Sequence, residues 1–595
     1  MRLRQVLGLV LIAVASYADA QTRPPPGSAE LEAVIEKMRQ EWKVPGTAIA
    51  IVRGDEPLLV KGFGYRDLEG KQPVTERTLF RIGSVTKSFT AAGVAALATQ
   101  GKLEWNNPVR EVLPDFRLYE DDLTARVTPV DLLSHRTGLP RHDAIWYYNR
   151  DWSREELMSR LRYMQPSKDL REGFQYNNFM FLAAGYLTGR VLGTNWEEAV
   201  RELIFEPLSM TATTISLEEM QKNRDHASSY LKDKQDAIHK APVDAFGSMA
   251  PAGLINSNAQ EMSRYLTMLM NEGRYQGRQV LAKTDVQRMT TAQMPVGPAD
   301  PRYPELGDTA YGLGLSVTSY RGRRMVHHGG AIDGFRAHLV FLPEDKIGVV
   351  ALANLGGSNF VGAISHELLD RVLGLPAAHW SQRYLSDEQT AKAAEREAER
   401  KGYSPRKRGT RPSHALADYP GHYEHPAYGT VRIVQAGEQL KVSYGSLDTG
   451  LAHFHYDSFE FVTEPVSQSK LRLRFDTDGD GEIASVTVPM EPLVAPIVFN
   501  RVADPLMREP AFLSSLAGKY ALGNTVLEVV LRVDGQLLLA QPNGQTLELA
   551  PMRGTTFRIK DRAGWSLEFK PGADAAINEA VLHMPGSSSV LKRKL

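Results

Sequence analysis

At 595 residues the chain is too long for one hydrophobic core, so roughly two to four domains are expected. Apolar content of 42% and charged content of 24% are ordinary for a soluble globular protein. Lys+Arg and Asp+Glu are 70 each, which leaves no global field to draw the chain to nucleic acid, and the lack of cysteine excludes disulfides, a lipid-modified Cys and a thiol nucleophile.

The N-terminus reads as an address. Arg2 and Arg4 form a basic n-region, residues 6–15 an apolar h-region, and Ala18-Asp19-Ala20 the small-x-small pattern cut by signal peptidase, before Gln21. The apolar run is too short to span a bilayer and no other stretch is long enough, so no stable membrane span is expected. Residues 1–20 are therefore assigned to a signal peptide and the chain to the periplasm or the exterior, an uncleaved anchor being the alternative. Residues 21–27, with three consecutive prolines, read as a disordered leader.

Helical periodicity over residues 31–42 precedes a strand pair at residues 46–52 and 57–62 around Gly54-Asp55. Next comes the strongest chemical signal, Phe80-Arg81-Ile82-Gly83-Ser84-Val85-Thr86-Lys87, heading an apolar helical stretch over residues 89–97. Ser84 and Lys87 are three apart, hence on one helix face, and the helix N-terminus turns its positive dipole end toward the serine. A serine hydroxyl is a poor nucleophile unless a base takes its proton, and a desolvated lysine amine can do so. Alone, S-x-x-K reads more readily as an N-cap followed by a surface lysine. Tyr176-Asn177-Asn178 precedes a second apolar helix over residues 179–187. A tyrosine beside a lysine can be held partly as phenolate and act as general base, and the Asn178 amide can bind both the lysine and a substrate carbonyl. One of Asn177 and Asn178 is also expected to cap the helix. His328-Gly329-Gly330-Ala331 leads into a strand at residues 336–342, where glycines let a substrate lie against the backbone. There the Ala331 N–H could form an oxyanion hole with that of Ser84. A strand at residues 347–354 and a helix at 361–373 follow, so residues 28–375 read as an α+β domain whose sheet is completed by its two ends.

Residues 376–414 are charged and read as a solvated linker, since the basic run at Arg406, Lys407, Arg408 and Arg411 lacks interleaved aromatics. From Leu416 the texture changes to short strands that repeat. Gly421-His422-Tyr423 is answered by Gly518-Lys519-Tyr520, Gly437 and Leu440 by Gly535 and Leu537, and Phe475 and Ile483 by Phe569 and Ile577. Each copy spans about 85 residues and holds roughly eight candidate strands, enough for a small antiparallel barrel. Two tandem modules at residues 415–503 and 510–595 are expected, one larger β domain being the alternative. Asp476 to Gly481 imitates the start of a calcium loop, but Thr487 stands where the bidentate Glu belongs, so a hairpin turn is expected. His366-Glu367-Leu368-Leu369-Asp370 misses the second histidine of a zinc motif. His327 reads as a packed or surface histidine. No metal and no cofactor is expected.

S-x-x-K, Y-x-N roughly 90 residues later and [K/H]-x-G before a late strand, in that order, resemble the penicillin-binding-protein-like serine hydrolases. That family includes class C β-lactamases, D-alanyl-D-alanine carboxypeptidases, D-aminopeptidases and related esterases. Gly101-Lys102-Leu103, LLSHRTGLP over residues 132–140 and Pro251-Ala252-Gly253-Leu254 add to the resemblance, which covers residues 31–375. It implies an antiparallel sheet flanked by helices plus a helical subdomain, with Ser84 acylated in the cleft between them. By the same resemblance Lys87 and Tyr176 handle protons, and Asn178 and His328 position substrate. The third motif lacks the lysine and hydroxyl that grip a β-lactam carboxylate, so peptidase or esterase action on D-amino-acid peptides or short esters, cell-wall-derived peptides among them, is expected over efficient penicillin hydrolysis. A true β-lactamase or carboxypeptidase, and a non-enzymatic scaffold, are the alternatives. The C-terminal repeats resemble lipocalin-like modules that restrict access to such sites or mediate assembly, so an oligomer through them is a further expectation.

Overall fold

The computed structural model describes residues 27–233, 235–401, 406–462, 471–491, 493–540, 544–562, 564–572 and 576–594. The expected signal peptide lies outside the described residues. Helix α1 (Ser28–Glu41) buries Leu31, Ile35 and Met38, a stripe at helical spacing. β1 (Gly46–Arg53) and β2 (Glu56–Asp67) pair antiparallel around Gly54, whose φ of 62° makes the tight turn. A short β3 (Gln72–Pro73) closes this edge of a sheet whose remaining strands come from the far end of the segment: β4 (Met294–Gly297), β5 (Leu306–Tyr311), β6 (Ser316–Tyr320), β7 (Arg323–Ile332), β8 (Phe335–Leu342) and β9 (Ile347–Ala353). The order is β4-β5-β6-β7-β8-β9-β1-β2-β3, with Thr47 opposite Ala353. The two ends of the segment thus complete one nine-stranded sheet, as the strand pattern at both ends suggests.

Both faces of the sheet are covered. Ala48, Ala50 and Val52 point into the core shared with the nucleophile helix α2 (Thr86–Thr99) and with α3 (Asn178–Leu192). Ile49 and Ile51 point into a second core under α1, α4 (Phe360–Val372) and the start of α5 (Trp380–Lys401). α5 corrects the picture of residues 376–414 as a linker throughout. Trp380 is fully buried, donates from Nε1 to Asp370 Oδ2 at 2.8 Å and stacks on Tyr303. Removing about 200 Å² of indole from water at about 25 cal/mol per Å² contributes up to about 5 kcal/mol to docking this helix, beside Tyr384 and Leu385, which pack on the same core. Asp370, in the zinc-like sequence, also accepts from Tyr320 and Arg321, so it is a structural anchor.

Beyond α5 stand two closed eight-stranded barrels, the first running from strand Gly421–His425 to Ile497–Val502 and the second from Gly518–Leu522 to Ser587–Lys594. The sequence repeat has a physical cause. Tyr423 donates to the Tyr419 carbonyl and packs edge-on against Phe475, and Tyr520 does the same with Leu516 and Phe569. The carbonyls of Ile483 and Ile577 accept from Arg501 and Arg593 at equivalent places. Asp478 to Glu482 form the hairpin turn between strands Arg472–Thr477 and Ile483–Val488.

The first barrel shares the main core with the α+β unit. Tyr444 packs on Tyr148, the Ser446 N–H donates to the Tyr148 carbonyl at 2.9 Å, and the Tyr428 hydroxyl meets His142 Nδ1 at 2.7 Å. All three contacts fall on residues 142–148, a segment that reappears beside Ser84. The second barrel encloses a separate core.

Candidate active site

Ser84 lies in a single 3-10 turn (Gly83–Val85) that runs directly into α2. Gly83 has a φ of 52°, and a Cβ there would stand 2.6 Å from the Ala331 nitrogen; a Cβ on Gly330 would stand 1.9 Å from the Ile82 carbonyl oxygen. The two glycines let β7 lie against the serine turn. The pairing of β7 with β6 ends at His327, and among the described residues no strand continues it, so this edge runs past Ser84 and brings Ala331 to the cleft.

Lys87 is fully buried one turn along the helix. Its Nζ lies 3.2 Å from Ser84 Oγ, 2.7 Å from Asn178 Oδ1 and 2.7 Å from the Ala252 carbonyl. Three acceptors saturate an ammonium. In the neutral amine two N–H bonds serve Asn178 and Ala252, and the lone pair is left facing Ser84. Burial pulls the lysine down to about 7, against the opposing pull of Asp143. Tyr176 faces Ser84, whose hydroxyl favours the ionised phenol against the larger effect of burial. Lys87 Nζ lies over the face of its ring, 4.9 Å from the centroid, and burial raises the phenol well above its ordinary value. Burial thus favours the neutral phenol over the partial phenolate that the sequence allows.

LLSHRTGLP shapes the Tyr176 loop. His135 Nδ1 accepts from the Asn177 N–H at 3.0 Å, its ring packs 4.2 Å from that of Tyr176, and its carbonyl accepts from the Gln175 N–H. Asn177 caps α3 by accepting from the Met180 N–H and donates to the Leu139 carbonyl, so of the two asparagines it is the cap.

A cavity of about 570 Å³ opens on Ser84, with Asn178, Ala252 and Ala331 in its wall. The rest is largely apolar: Trp146, Tyr147, Phe246, Met249 and Leu254, with Leu471, Pro489 and Met490 from the first barrel. His328 and Gly330 are not among the wall residues. His328 Nε2 bonds the Tyr311 hydroxyl at 2.8 Å and Nδ1 sits 2.6 Å from the Gly329 carbonyl, while burial pulls the ring down to about 3. His328, expected to position substrate, joins β7 to β5 through Tyr311, and Gly330, expected beside the oxyanion, gives the close backbone approach to Ile82. His327, on the other face of β7, meets His338 at 3.4 Å. Among the described residues no group of three or more His, Asp or Glu is arranged to hold a metal.

Three charged wall residues escape motif reading, namely Arg141, Asp143 and Glu491. Arg141 Nε donates to Asp143 Oδ2 at 2.6 Å and its guanidinium lies over the Tyr176 ring. Glu491, from the first barrel, accepts from the Ala144 N–H at 2.6 Å, and burial pushes it up to about 7.

A family profile described as Beta-lactamase matches residues 31–373. The chain belongs to the beta-lactamase family. Residues 405–501, the first barrel and the approach to it, match a profile described as a domain of unknown function, DUF3471. An unguisins hydrolase of Aspergillus campestris is 31% identical over 420 residues, covering 67% of this chain and 76% of its own. Another, of Aspergillus violaceofuscus, is 30% identical over 451 residues, covering 70% and 78%. The octameric penicillin-binding protein homologue of Pyrococcus abyssi shares the fold at a TM-score of 0.53 and 23% identity, over 79% of this chain and 99% of that one. The beta-lactamase-family chain is accordingly a serine hydrolase, and the scaffold alternative falls away.

Proposed function

We propose that this hydrolase cleaves amide or ester bonds of small, apolar acyl substrates through an acyl-enzyme on Ser84. The observation that carries the reading is the place of Lys87 Nζ, 3.2 Å from Ser84 Oγ with Asn178 Oδ1 and the Ala252 carbonyl as its other acceptors, at the wall of a largely apolar cavity. Lys87 takes the Ser84 proton as Oγ attacks the carbonyl. The N–H groups of Ser84 and Ala331 receive the oxyanion, and the Tyr176 phenol protonates the leaving group and is reprotonated from Lys87. Water then repeats the sequence in reverse and frees the acid. The aromatic and aliphatic wall favours an apolar side chain, and the likeness to unguisins hydrolases supports a hydrolytic role. The export pattern at residues 2–20 supports action outside the cytoplasm.

A second reading rests on Arg141. It brings a guanidinium to a cleft whose third motif lacks a lysine, and so offers a grip for a substrate carboxylate, as a β-lactam or D-alanyl peptide would need. A purified-enzyme comparison of nitrophenyl esters, D- and L-aminoacyl anilides and a chromogenic cephalosporin separates the two. Faster turnover of neutral apolar substrates supports the first, whereas cephalosporin turnover lost in Arg141→Ala establishes the second.

Tyr176→Phe should lower turnover of anilides by roughly a hundredfold, the scale of a lost proton transfer. Nitrophenyl esters, whose leaving group departs as a stable anion, should lose far less. Equal losses on both would show that the phenol does not serve the leaving group.

A further inference from the structure

Asp143 is not part of any motif that points to the site, yet three donors converge on it. Oδ1 accepts from Asn178 Nδ2 at 2.9 Å and from Trp146 Nε1 at 2.8 Å, and Oδ2 accepts from Arg141 Nε at 2.6 Å. The opposite end of the same Asn178 amide, Oδ1, accepts from Lys87 Nζ. A carboxylate only accepts and an ammonium only donates, so the amide between them satisfies both in one orientation alone. A flipped Asn178 would set its NH2 against the lysine and its oxygen against the carboxylate. The segment carrying Asp143 is itself held, because the next N–H, that of Ala144, donates to Glu491 of the first barrel.

Charge adds to geometry. Lys87 faces Asp143 and Arg141 from this segment, Tyr176 from the loop before α3, His135 from LLSHRTGLP and His328 from β7. Burial holds the two histidines and the phenol neutral near pH 7. Asp143 is then the negative charge that favours the lysine ammonium, with Arg141 opposing it.

We propose that Asp143 is a positioning residue that acts through Asn178 on Lys87, locking the amide that holds the lysine against Ser84 and keeping the proton on Lys87 in the resting enzyme. The inference rests on the reading that neutral Lys87 accepts the Ser84 proton. Removing a negative charge beside an ammonium lowers its proton affinity, so the neutral base becomes available at lower pH. Asp143→Asn keeps an acceptor for Asn178 but loses the charge.

The test is the pH dependence of Ser84 phosphonylation by a fluorophosphonate, in which Oγ displaces fluoride from phosphorus, followed by intact mass in the full-length chain. Asp143→Asn should move the acid limb about one pH unit downward, and Asp143→Ala, which also frees Asn178, should in addition lower the plateau about tenfold. Glu491 also titrates near neutrality, so the same profile is taken in Glu491→Gln, where a retained limb assigns it to Lys87. The underlying reading has its own control. If the residual labelling of Lys87→Ala keeps the limb, Lys87 is not the group that titrates and that reading fails. If the limb vanishes in Lys87→Ala but stays in place in Asp143→Asn, only the Asp143 inference is overturned. A limb that stays put while the whole profile falls in proportion to lost folded protein marks Asp143 as merely structural.

Discussion

Ser84→Ala is expected to reduce hydrolysis of every substrate the enzyme turns over by roughly a thousandfold or more and to abolish the covalent adduct with a fluorophosphonate. The hydroxyl is the group that forms the acyl bond, and the lysine and phenol have nothing else to activate. What remains, the oxyanion donors and the binding cavity, polarises a carbonyl without supplying a nucleophile. The variant should fold normally. Ser84 is half-buried at the start of a helix, and losing one hydroxyl removes a single hydrogen bond to Lys87, typically about 1 kcal/mol. Unchanged thermal unfolding with no adduct and no turnover is the expected set of results. An adduct at another serine, or turnover within tenfold of wild type, contradicts the assignment.

Much of this site was legible because its chemistry is local. Ser84 and Lys87 are one helical turn apart, and their meeting follows from helix geometry once α2 is recognised. Tyr176 and Asn178 were legible through motif order, with Asn177 supplying an ordinary cap. The strands at both ends of the segment were readable from alternation, and the barrels from their repeat, because Tyr423, Phe475 and Arg501 must recur wherever that barrel is built. Illegible residues are those whose role depends on distant partners. Asp143 matters because Asn178 arrives from α3, and Glu491 because a barrel more than three hundred residues on folds back onto Ala144. His328 shows the same dependence: strand alternation places it toward the Ser84 face, while the bond its ring makes to Tyr311 on β5 is not readable from the motif.

Lys87→Met is expected to cost at least about a hundredfold in turnover and to remove the acid limb expected of wild type near pH 7, because only the neutral amine accepts the Ser84 proton. The same substitution gives a test that needs no substrate. A lysine titrating near 7 in the folded chain and near 10.4 when unfolded binds its proton more weakly in the native state. Between those values the unfolded chain holds more protons, so wild-type stability rises with pH there. The stabilising contribution is complete above about 10.4 and is lost as pH falls through 7. At about 1.36 kcal/mol per unit, the full swing is of the order of 4–5 kcal/mol. Methionine fills the same space without a charge and contributes no such swing. It also leaves Asn178 Oδ1 and the Ala252 carbonyl without their donor, at about 1–3 kcal/mol each, but that loss does not vary with pH. The difference in unfolding free energy between wild type and Lys87→Met should therefore shift in favour of wild type as pH rises from 6 to 10, other titrating groups cancelling in the comparison. A difference that is flat across this range would mean that Lys87 keeps an ordinary proton affinity in the folded enzyme, and the general-base role would have to pass to another group.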